Sequence, residues 1–457
     1  MHRQAQTPAG PGFGSGRLYA GNPGNDQGRH DKGNLKIHGN RCRWTGNQGF
    51  QSGGAENGSQ APCSVCQHSC SCLACERDIL NMFSEYNFRA FNFRLLFYAV
   101  ALSLIGVIVI NSAVGEEKTY VTRQLVGLFG GLLAAAVLSV LNYRYLSRFA
   151  VIAYLGCLAI LLAVIIAGQL GGAGSGSRRW ITLPVLGRFQ PSEFAKIGLI
   201  FFFSWFLHKN QERINQPVTL LMLAGLAAAP LLLILEQPDL STSIVIMFTI
   251  LCMVFISGIS YRLIFTAAAI GIPSLAAVMY LAHQGLVPFI EPYQVNRVLA
   301  FINPEKYAEL NLQQDNSQMA IGSGMLYGKG LFNDTAISVK NGNYLSEEHT
   351  DFIFSVIGEE LGFVGCMVVL LLYLLFVYEC LRMAGRARDM TGKLICAGMA
   401  ALVGFQSFTN IAVATGVFPN TGLPLPFISY GVSSLVSLYI GIGLVLNVGL
   451  QQSKLEN

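Results

Sequence analysis

Charge is what this sequence has least of. Only 12% of its 457 residues are Asp, Glu, Lys or Arg, whereas 52% are hydrophobic. Soluble globular domains carry about 25% charged residues, so this scarcity excludes an ordinary soluble protein and indicates a membrane protein. The net charge of +5 is spread thinly, without a basic block or a nucleic-acid-binding motif. The composition therefore predicts no nucleic-acid partner.

A disulfide framework and paired metal-ligand spacing are also missing. Of the 11 cysteines, those beyond residue 80 stand singly in apolar segments, which is typical of small buried side chains. The others lie near the N-terminus and include the crowded run from Cys63 to Cys75. Zinc sites pair two CxxC-like halves across a spacer of about a dozen residues, so this crowding argues against a metal site.

Residues 1–81 lack hydrophobic periodicity and are rich in Gly, Asn, Gln and Ser. We therefore predict a disordered N-terminal tail. No apolar core with a cleavage site occurs there, so no signal peptide is predicted. Membrane-protein character begins abruptly at Met82, which is an alternative start of the native chain. We predict a membrane domain over residues 82–451 and a short cytoplasmic tail over residues 452–457.

Long apolar runs are what the chain does have. A helix needs about 20 mostly apolar residues to cross a bilayer. The sequence therefore predicts an all-α polytopic membrane protein with about ten transmembrane helices, over residues 93–112, 122–141, 149–169, 191–208, 217–235, 240–257, 262–282, 352–379, 393–414 and 427–449. A long extracellular loop, residues 283–350, separates helices 7 and 8. The eighth run is the longest, so its first two turns are expected in a cavity or along the interface.

Lys and Arg in the connecting loops predict the orientation, because cytoplasmic loops are enriched in these residues. One set of alternate loops carries Arg144, Arg148, Lys209, Arg213, Arg262, Arg382, Arg386, Arg388 and Lys393. The opposite set carries only Lys118, Arg123, Arg178, Arg179 and Arg188. This bias predicts that both termini are cytoplasmic and that residues 283–350 lie outside the cell. Arg178 and Arg179 run against the rule, which invites a functional interpretation of them.

A carboxylate stands where the long loop meets the eighth apolar run, in the sequence LSEEHTDFIFSVIGEELG of residues 345–362. This residue, Asp351, is expected to be partly removed from water beside a cavity, a setting typical of acid/base residues. The alternative is a helix N-cap, a position that favours Asp. Thr350 is an equally suitable cap, and no Glu or Gln follows three residues later to complete a capping box.

Further polar residues lie at the outer ends of the other apolar runs. Glu193 and Lys196 share a helix face, and a charge inside a bilayer costs about 2–4 kcal/mol or more. They either line a functional cavity or form a structural ion pair. Asp239, in the sequence EQPD, is either functional or a helix N-cap. Residues 420–434 (NTGLPLPFISYGVSS) are irregular, and irregular backbone at this depth is expected to line the same outer cavity.

Six motifs occur in the order found in the SEDS family of bacterial shape, elongation, division and sporulation proteins. They are RRWI followed by QPSEFAKI, QPDLSTS, NRVLAFINP, AIGSGMLYGKG, HTDFIFSVIGEELGFVG and PLPFISYGVSS. Over residues 88–450 the chain resembles this family, and most closely its rod-shape branch, with the division and sporulation branches nearby. Val432 departs from the pattern, since relatives often have Gly there.

The resemblance implies a peptidoglycan glycosyltransferase in the bacterial plasma membrane, with its active site on the outer side. Its substrates would be lipid II and a growing glycan strand, and Asp351 would be the catalytic general base. Arg179, Lys196 and Arg297 become candidates for the pyrophosphate, with Mg²⁺ or Mn²⁺ as an additional cation. Further candidate substrate-binding residues in the matching motifs are Trp180, Glu193, Asp239, Asn420 and Ser433.

The resemblance also implies partners: a class B penicillin-binding protein, which is a transpeptidase, and the elongation machinery. Two other functions stay open. One is a flippase that moves lipid II across the membrane, which would suit the intramembrane charges Glu193 and Lys196. The other is a non-enzymatic scaffold for cell-wall synthesis.

Overall fold

The computed structural model describes residues 91–115, 117–170, 179–183, 187–283, 292–332 and 349–451, together with 36–37 and 42–43. The chain divides into two compact units, residues 1–71 and 72–457. In the first unit, strands β1 (Lys36–Ile37) and β2 (Cys42–Arg43) pair antiparallel, with Lys36 opposite Arg43. The predicted disorder of the rest of the N-terminal tail, its cysteine run and the tail over residues 452–457 lie outside the described residues.

The described part of the second unit is largely helical, as the sequence predicts. Its α-helices are α1 (Phe93–Val114), α2 (Lys118–Val140), α3 (Tyr143–Leu146), α4 (Ala150–Leu170), α5 (Pro191–Lys209), α6 (Pro217–Glu236), α7 (Leu240–Ile256), α8 (Tyr261–His283), α9 (Pro292–Ile302), α10 (Ala308–Ser323), α11 (Ile353–Arg386), α12 (Met390–Ala414) and α13 (Val432–Leu450). A short antiparallel hairpin of β3 (Ile181–Leu183) and β4 (Gly187–Phe189) precedes α5.

Each of the ten predicted spans corresponds to one long helix, because each apolar run is bounded by residues that start or stop helices. Pro191 and Pro217 occupy the first turn of α5 and α6, where a missing backbone N–H costs nothing. Seven of the described helices are long and apolar enough to cross a membrane. The other three are α5, which carries Glu193 and Lys196, α7, which has 17 residues, and α8.

Helices α12 and α13 form the centre of the bundle. In their most apolar windows 72% and 83% of the residues are buried, against 22% for the peripheral α6. A small residue brings α13 against α2: a Cβ on Gly443 would lie 2.8 Å from the carbonyl oxygen of Ala135. Such close approach is typical of helix pairs in membranes, where van der Waals contact rather than the hydrophobic effect drives association.

Helix α11 is kinked at Gly362, whose φ of 66° and ψ of −164° are non-helical. Residues from Ile353 to Glu360 before the kink are all buried, whereas Phe363 after it is 60% exposed. The eighth predicted span therefore starts inside the protein and reaches the bundle surface only after Gly362.

The segment that follows α10 satisfies the backbone groups that the kink leaves without helical partners. The carbonyls of Glu359 and Glu360 accept bonds from the N–H groups of Lys329 (2.9 Å) and Gly330 (3.0 Å). On the other side, the N–H groups of Phe363 and Val364 donate to the carbonyls of Met325 (2.8 Å) and Leu326 (3.1 Å). The predicted long outer loop thus contains helices α9 and α10 and packs onto α11.

The predicted boundary of the last span is wrong by five residues. Helix α13 begins at Val432 rather than at residue 427. Phe427 has a φ of 67°, which an L-residue does not adopt inside a helix. The irregular stretch predicted for residues 420–434 therefore extends as far as Gly431.

We expect Gly362→Ala to lower the free energy of unfolding by about 2–3 kcal/mol, because φ is positive there and any larger side chain is strained. A Cβ at this position would also lie 2.3 Å from the backbone nitrogen of Gly328. The matched control is Gly385→Ala in the same helix, where a Cβ meets nothing within 4 Å. Thermal unfolding of both variants in detergent measures the difference. Equal melting temperatures would contradict this account of the kink.

Candidate active site

Asp351 lies in the turn directly before α11. The N-cap residue of α11 is Phe352, whose side chain makes no capping bond. The alternative interpretation of Asp351 as the N-cap is therefore wrong, and so is that of Thr350. Asp351 is half-buried, at the edge of the buried helical turns that follow it.

The backbone around Asp351 is held by bonds to three successive carbonyls. The carbonyl of His349 accepts from the N–H of Tyr430 (3.0 Å), and that of Thr350 accepts from the hydroxyl of Ser429 (2.6 Å). The carbonyl of Asp351 itself accepts from the amide of Asn410, at 2.7 Å. These bonds fix the turn against α12 and against the irregular segment that precedes α13.

Asp351 and Arg297 meet at Gly422, which has a φ of +67°. A Cβ on Gly422 would lie 3.2 Å from the Asp351 carboxylate and 3.6 Å from the Arg297 guanidinium. Arg297 donates to the carbonyl of Asn420 at 3.4 Å, and the Asn420 side chain accepts from the N–H of Gly422 at 3.2 Å. Three residues predicted from the sequence, Asp351, Arg297 and Asn420, are thus brought together around one glycine turn.

Glu193 and Lys196 form the buried ion pair that the sequence left as one of two alternatives. The Lys196 ammonium lies 2.8 Å from the Glu193 carboxylate, and each residue is only 2% exposed. Lys196 also donates to the side-chain carbonyl of Gln406 (2.9 Å), whose amide donates to the carbonyl of Pro424 (2.8 Å). The pair therefore connects α5 through α12 to the segment that carries Gly422.

The remaining predicted residues form a second cluster at the start of α7. Arg179 donates to the carbonyl of Gln237 (2.9 Å) and to that of Pro238. Asp239 caps α7 by accepting a hydrogen bond from the N–H of Thr242 (3.1 Å). The helix N-cap was one of the two roles predicted for it. Trp180, beside Arg179, is 40% exposed.

Gln190 joins this second cluster to α13. Its amide donates to the Asp239 carboxylate at 3.3 Å, and its N–H donates to the Ser433 hydroxyl at 3.4 Å. The hydroxyl of Ser241 donates to the carbonyl of Thr421, beside Gly422. The first turns of α5, α7, α11 and α13 consequently surround one region, and the partial positive charges of helix N-termini favour an anion there.

The sequence pointed to the charged residues of this site and to Trp180, Asn420 and Ser433, but it missed four uncharged residues that position them. Gln406, Asn410, Gln190 and Gly422 carry no charge, so nothing marks them as unusual in an apolar chain. The NTG sequence was a turn signal, and Gly422 was the one available hint. Within the described ranges, no group of three or more His, Cys, Asp or Glu residues is arranged to hold a metal ion. The Mg²⁺ or Mn²⁺ remains a prediction.

The apolar helices indicate a polytopic membrane protein. The Asp351 carboxylate and the Arg297 guanidinium give it a polar site at one end of the bundle. The sequence model of the cell cycle protein family FtsW/RodA/SpoVE matches residues 93–454, and the chain belongs to that family. The family predicted from the six motifs is confirmed.

Curated relatives include a probable peptidoglycan glycosyltransferase FtsW from Geobacter sulfurreducens, 36% identical over 364 residues, which cover 78% of this chain and 94% of the relative. The peptidoglycan glycosyltransferase MrdB of Escherichia coli K12 is 33% identical over 370 residues, 79% of this chain and 94% of its own.

Solved structures agree with these relatives. A protein from a peptidoglycan synthase complex that coordinates polymerization and crosslinking has a TM-score of 0.64 at 32% identity, covering 80% of this chain and 97% of its own. The rod shape determining protein RodA of Thermus thermophilus has a TM-score of 0.58 at 29% identity, covering 80% and 99%.

We expect Lys196→Met to lower the free energy of unfolding by about 3 kcal/mol, because it leaves the Glu193 carboxylate buried without its counter-ion. The double variant Glu193→Gln/Lys196→Met removes both charges, and it should recover much of that loss. Melting temperatures of the wild type, both single variants and the double variant complete the cycle. Purely additive losses would mean that the two charges do not stabilise each other.

Proposed function

We propose that this protein is a peptidoglycan glycosyltransferase that polymerises lipid II into glycan strands. The observation that carries the proposal is the meeting of Asp351 and Arg297 at the Gly422 turn. A transfer from a pyrophosphate donor requires a base for the attacking hydroxyl and a cation for the leaving pyrophosphate, both within reach of one substrate. Membership of a family whose relatives are named peptidoglycan glycosyltransferases supports it.

In the proposed reaction Asp351 is the general base. The 4-hydroxyl of an acceptor GlcNAc attacks the α-linked anomeric carbon of lipid II, and Asp351 takes the hydroxyl proton. The bond from that carbon to the pyrophosphate breaks as the β-1,4 bond forms, so the configuration inverts. The three backbone bonds to residues 349–351 support this role, because a general base must be held within hydrogen-bond reach of the proton it removes.

Arg297 stabilises the negative charge that develops on the leaving pyrophosphate. A guanidinium binds phosphate with two parallel bonds, and the surrounding helix N-termini add partial positive charge. Mg²⁺ or Mn²⁺, for which the described residues form no ligand group, stays a proposed additional cation that would add positive charge near the pyrophosphate. Arg179 and Lys196, which bond to protein oxygens, act mainly by holding the frame of the site, together with Glu193 and Asp239. Trp180, Asn420 and Ser433 border it and complete the proposed substrate contacts.

The proposed site faces the outside of the bacterial plasma membrane, with both termini cytoplasmic, as the loop charges predict. Its proposed partner is a class B penicillin-binding protein, a transpeptidase that crosslinks the strands made here. Similarity to a protein of a peptidoglycan synthase complex supports such a pairing. We assign the chain to elongation and rod shape, with a division role as the alternative, since relatives of both names match it.

A second candidate function is translocation of lipid II across the membrane. The fully buried Glu193–Lys196 pair favours it, because charges inside a bundle often mark transport pathways. Protein in sealed vesicles, with fluorescent lipid II in one leaflet, separates the two functions. Transfer between leaflets without glycan strands would replace the polymerase proposal.

We expect Asp351→Asn to reduce glycan synthesis by about 100- to 10,000-fold, because the amide cannot accept the proton. The measurement is gel analysis of strands made from lipid II by the purified protein together with its transpeptidase partner. Asp315→Asn is the matched control, since Asp315 is an exposed carboxylate on α10. The melting temperature of Asp351→Asn should stay near that of the wild type. Wild-type rates in this variant would remove Asp351 from the mechanism.

Arg297→Ala should lower the polymerisation rate by about 100-fold, the usual effect of losing one group that stabilises developing charge. Arg297→Lys should retain part of the rate, because Lys offers a point charge without the bidentate geometry. Lys306→Ala, which removes an exposed cation from the same outer segment, is the control. A fall in kcat with little change in KM is expected, and a change in KM alone would assign Arg297 to ground-state binding.

A further inference from the structure

At the end of the bundle opposite to Asp351, the structure has a cavity of about 400 Å³. Helix α5 begins beside Gln190, next to the candidate active site, and ends at this cavity with Lys209. Helix α12 starts here, after α11 has run the length of the bundle away from Asp351. Residues that line the cavity include Arg144, Trp205, His208, Lys209, Asp389 and Thr391.

The cavity carries net positive charge. Its one carboxylate, Asp389, accepts from the Tyr143 hydroxyl (2.6 Å), the N–H of Gly392 (2.9 Å) and the Arg144 guanidinium (3.2 Å). Lys209 and His208 are exposed at the mouth, and neither has an acidic partner within ion-pair distance among the described residues. Arg144 and Lys209 thus supply two permanent positive charges, against one carboxylate that already accepts three hydrogen bonds.

Aromatic side chains place the mouth of the cavity at the level where membrane meets water. The Lys209 ammonium lies 5.0 Å from the centre of the Trp205 ring. Arg148 lies 5.5 Å from the ring of Tyr145, and both residues flank Ser147, which also lines the cavity. Tyr145 is 53% exposed on the bundle surface. Paired aromatic and basic residues at helix ends are typical of the headgroup region.

We propose that this cavity binds the phosphate of an anionic phospholipid headgroup, such as that of phosphatidylglycerol. Its volume lies within the range of roughly 300–1,000 Å³ found for small-molecule sites. Lys209 supplies a point charge, and the Arg144–Asp389 pair forms a fixed polar wall. Free phosphate shares the same chemistry, but the aromatic rim favours a ligand whose tail lies in the membrane. This site does not depend on the proposed transferase activity.

The test is native mass spectrometry of the full-length protein in detergent, after mixing with equal amounts of phosphatidylglycerol and phosphatidylcholine. The wild type should retain phosphatidylglycerol preferentially. Lys209→Gln should reduce that retention roughly five-fold, the effect of one basic side chain near an anionic surface, and His208→Gln/Lys209→Gln should reduce it further. Arg213→Gln is the control, because it removes an exposed cation from the same rim but outside the cavity.

Three results of the retention experiment would overturn the proposal, and a fourth would come from competition with phosphate. The three are equal retention of both lipids by the wild type, unchanged retention by Lys209→Gln, and a loss in Arg213→Gln as large as that in Lys209→Gln. Competition with inorganic phosphate separates the two sources of the anion. If millimolar phosphate removes the bound lipid completely, the cavity is a site for free phosphate and not for a headgroup.

Discussion

Every backbone polar group inside a bilayer must find a partner within the protein, and this constraint decides where the candidate site can exist. A regular helix satisfies its backbone polar groups with its own hydrogen bonds. The irregular stretch from Thr415 to Gly431 cannot do so, and other parts of the chain must therefore bond to it. Gln406, Asn410, Tyr373 and Gln124 all donate to its carbonyls. The same bonds hold Gly422 beside Asp351. The contacts that satisfy the irregular backbone therefore also position the candidate site.

The two charged pairs near the candidate site differ in how deeply they are buried. Glu193 and Lys196 pair with each other inside the bundle, and both are almost fully removed from solvent. Asp351 and Arg297 lie at the end of the bundle, are half-buried, and both approach Gly422. A fully buried pair stabilises one arrangement of helices, whereas a half-buried carboxylate can still exchange its proton with a substrate. The sequence marks Glu193, Lys196 and Asp351 as unusual, and the family resemblance adds Arg297, but only burial distinguishes the roles of the two pairs.

The helices and the charged residues could be predicted from the sequence because their signals are local. An apolar run of about 20 residues predicts its own helix, and a carboxylate at its end is visible without a partner. The kink at Gly362 could not be predicted, because it depends on bonds from Lys329 and Gly330, about thirty residues earlier. The late start of α13 could not be predicted either. Nor could the role of Gln406, which depends on its bonds to Lys196 and to the carbonyl of Pro424. Long-range contacts through the backbone leave no pattern in a single sequence.

The hydrogen-bond partners of the segment before α13 lie mostly earlier in the sequence than the segment itself. Apart from Leu435 in the first turn of α13, which donates to Gly431, its partners named here precede it in the sequence. They are Gln124, Ser241, Arg297, Thr350 and Gln406. The loop that bonds across Gly362 likewise precedes the kink. Because a chain emerges from the ribosome N-terminus first, both the segment before α13 and the kink at Gly362 are made after these partners. Their backbone groups can therefore find partners that already exist when the two stretches fold.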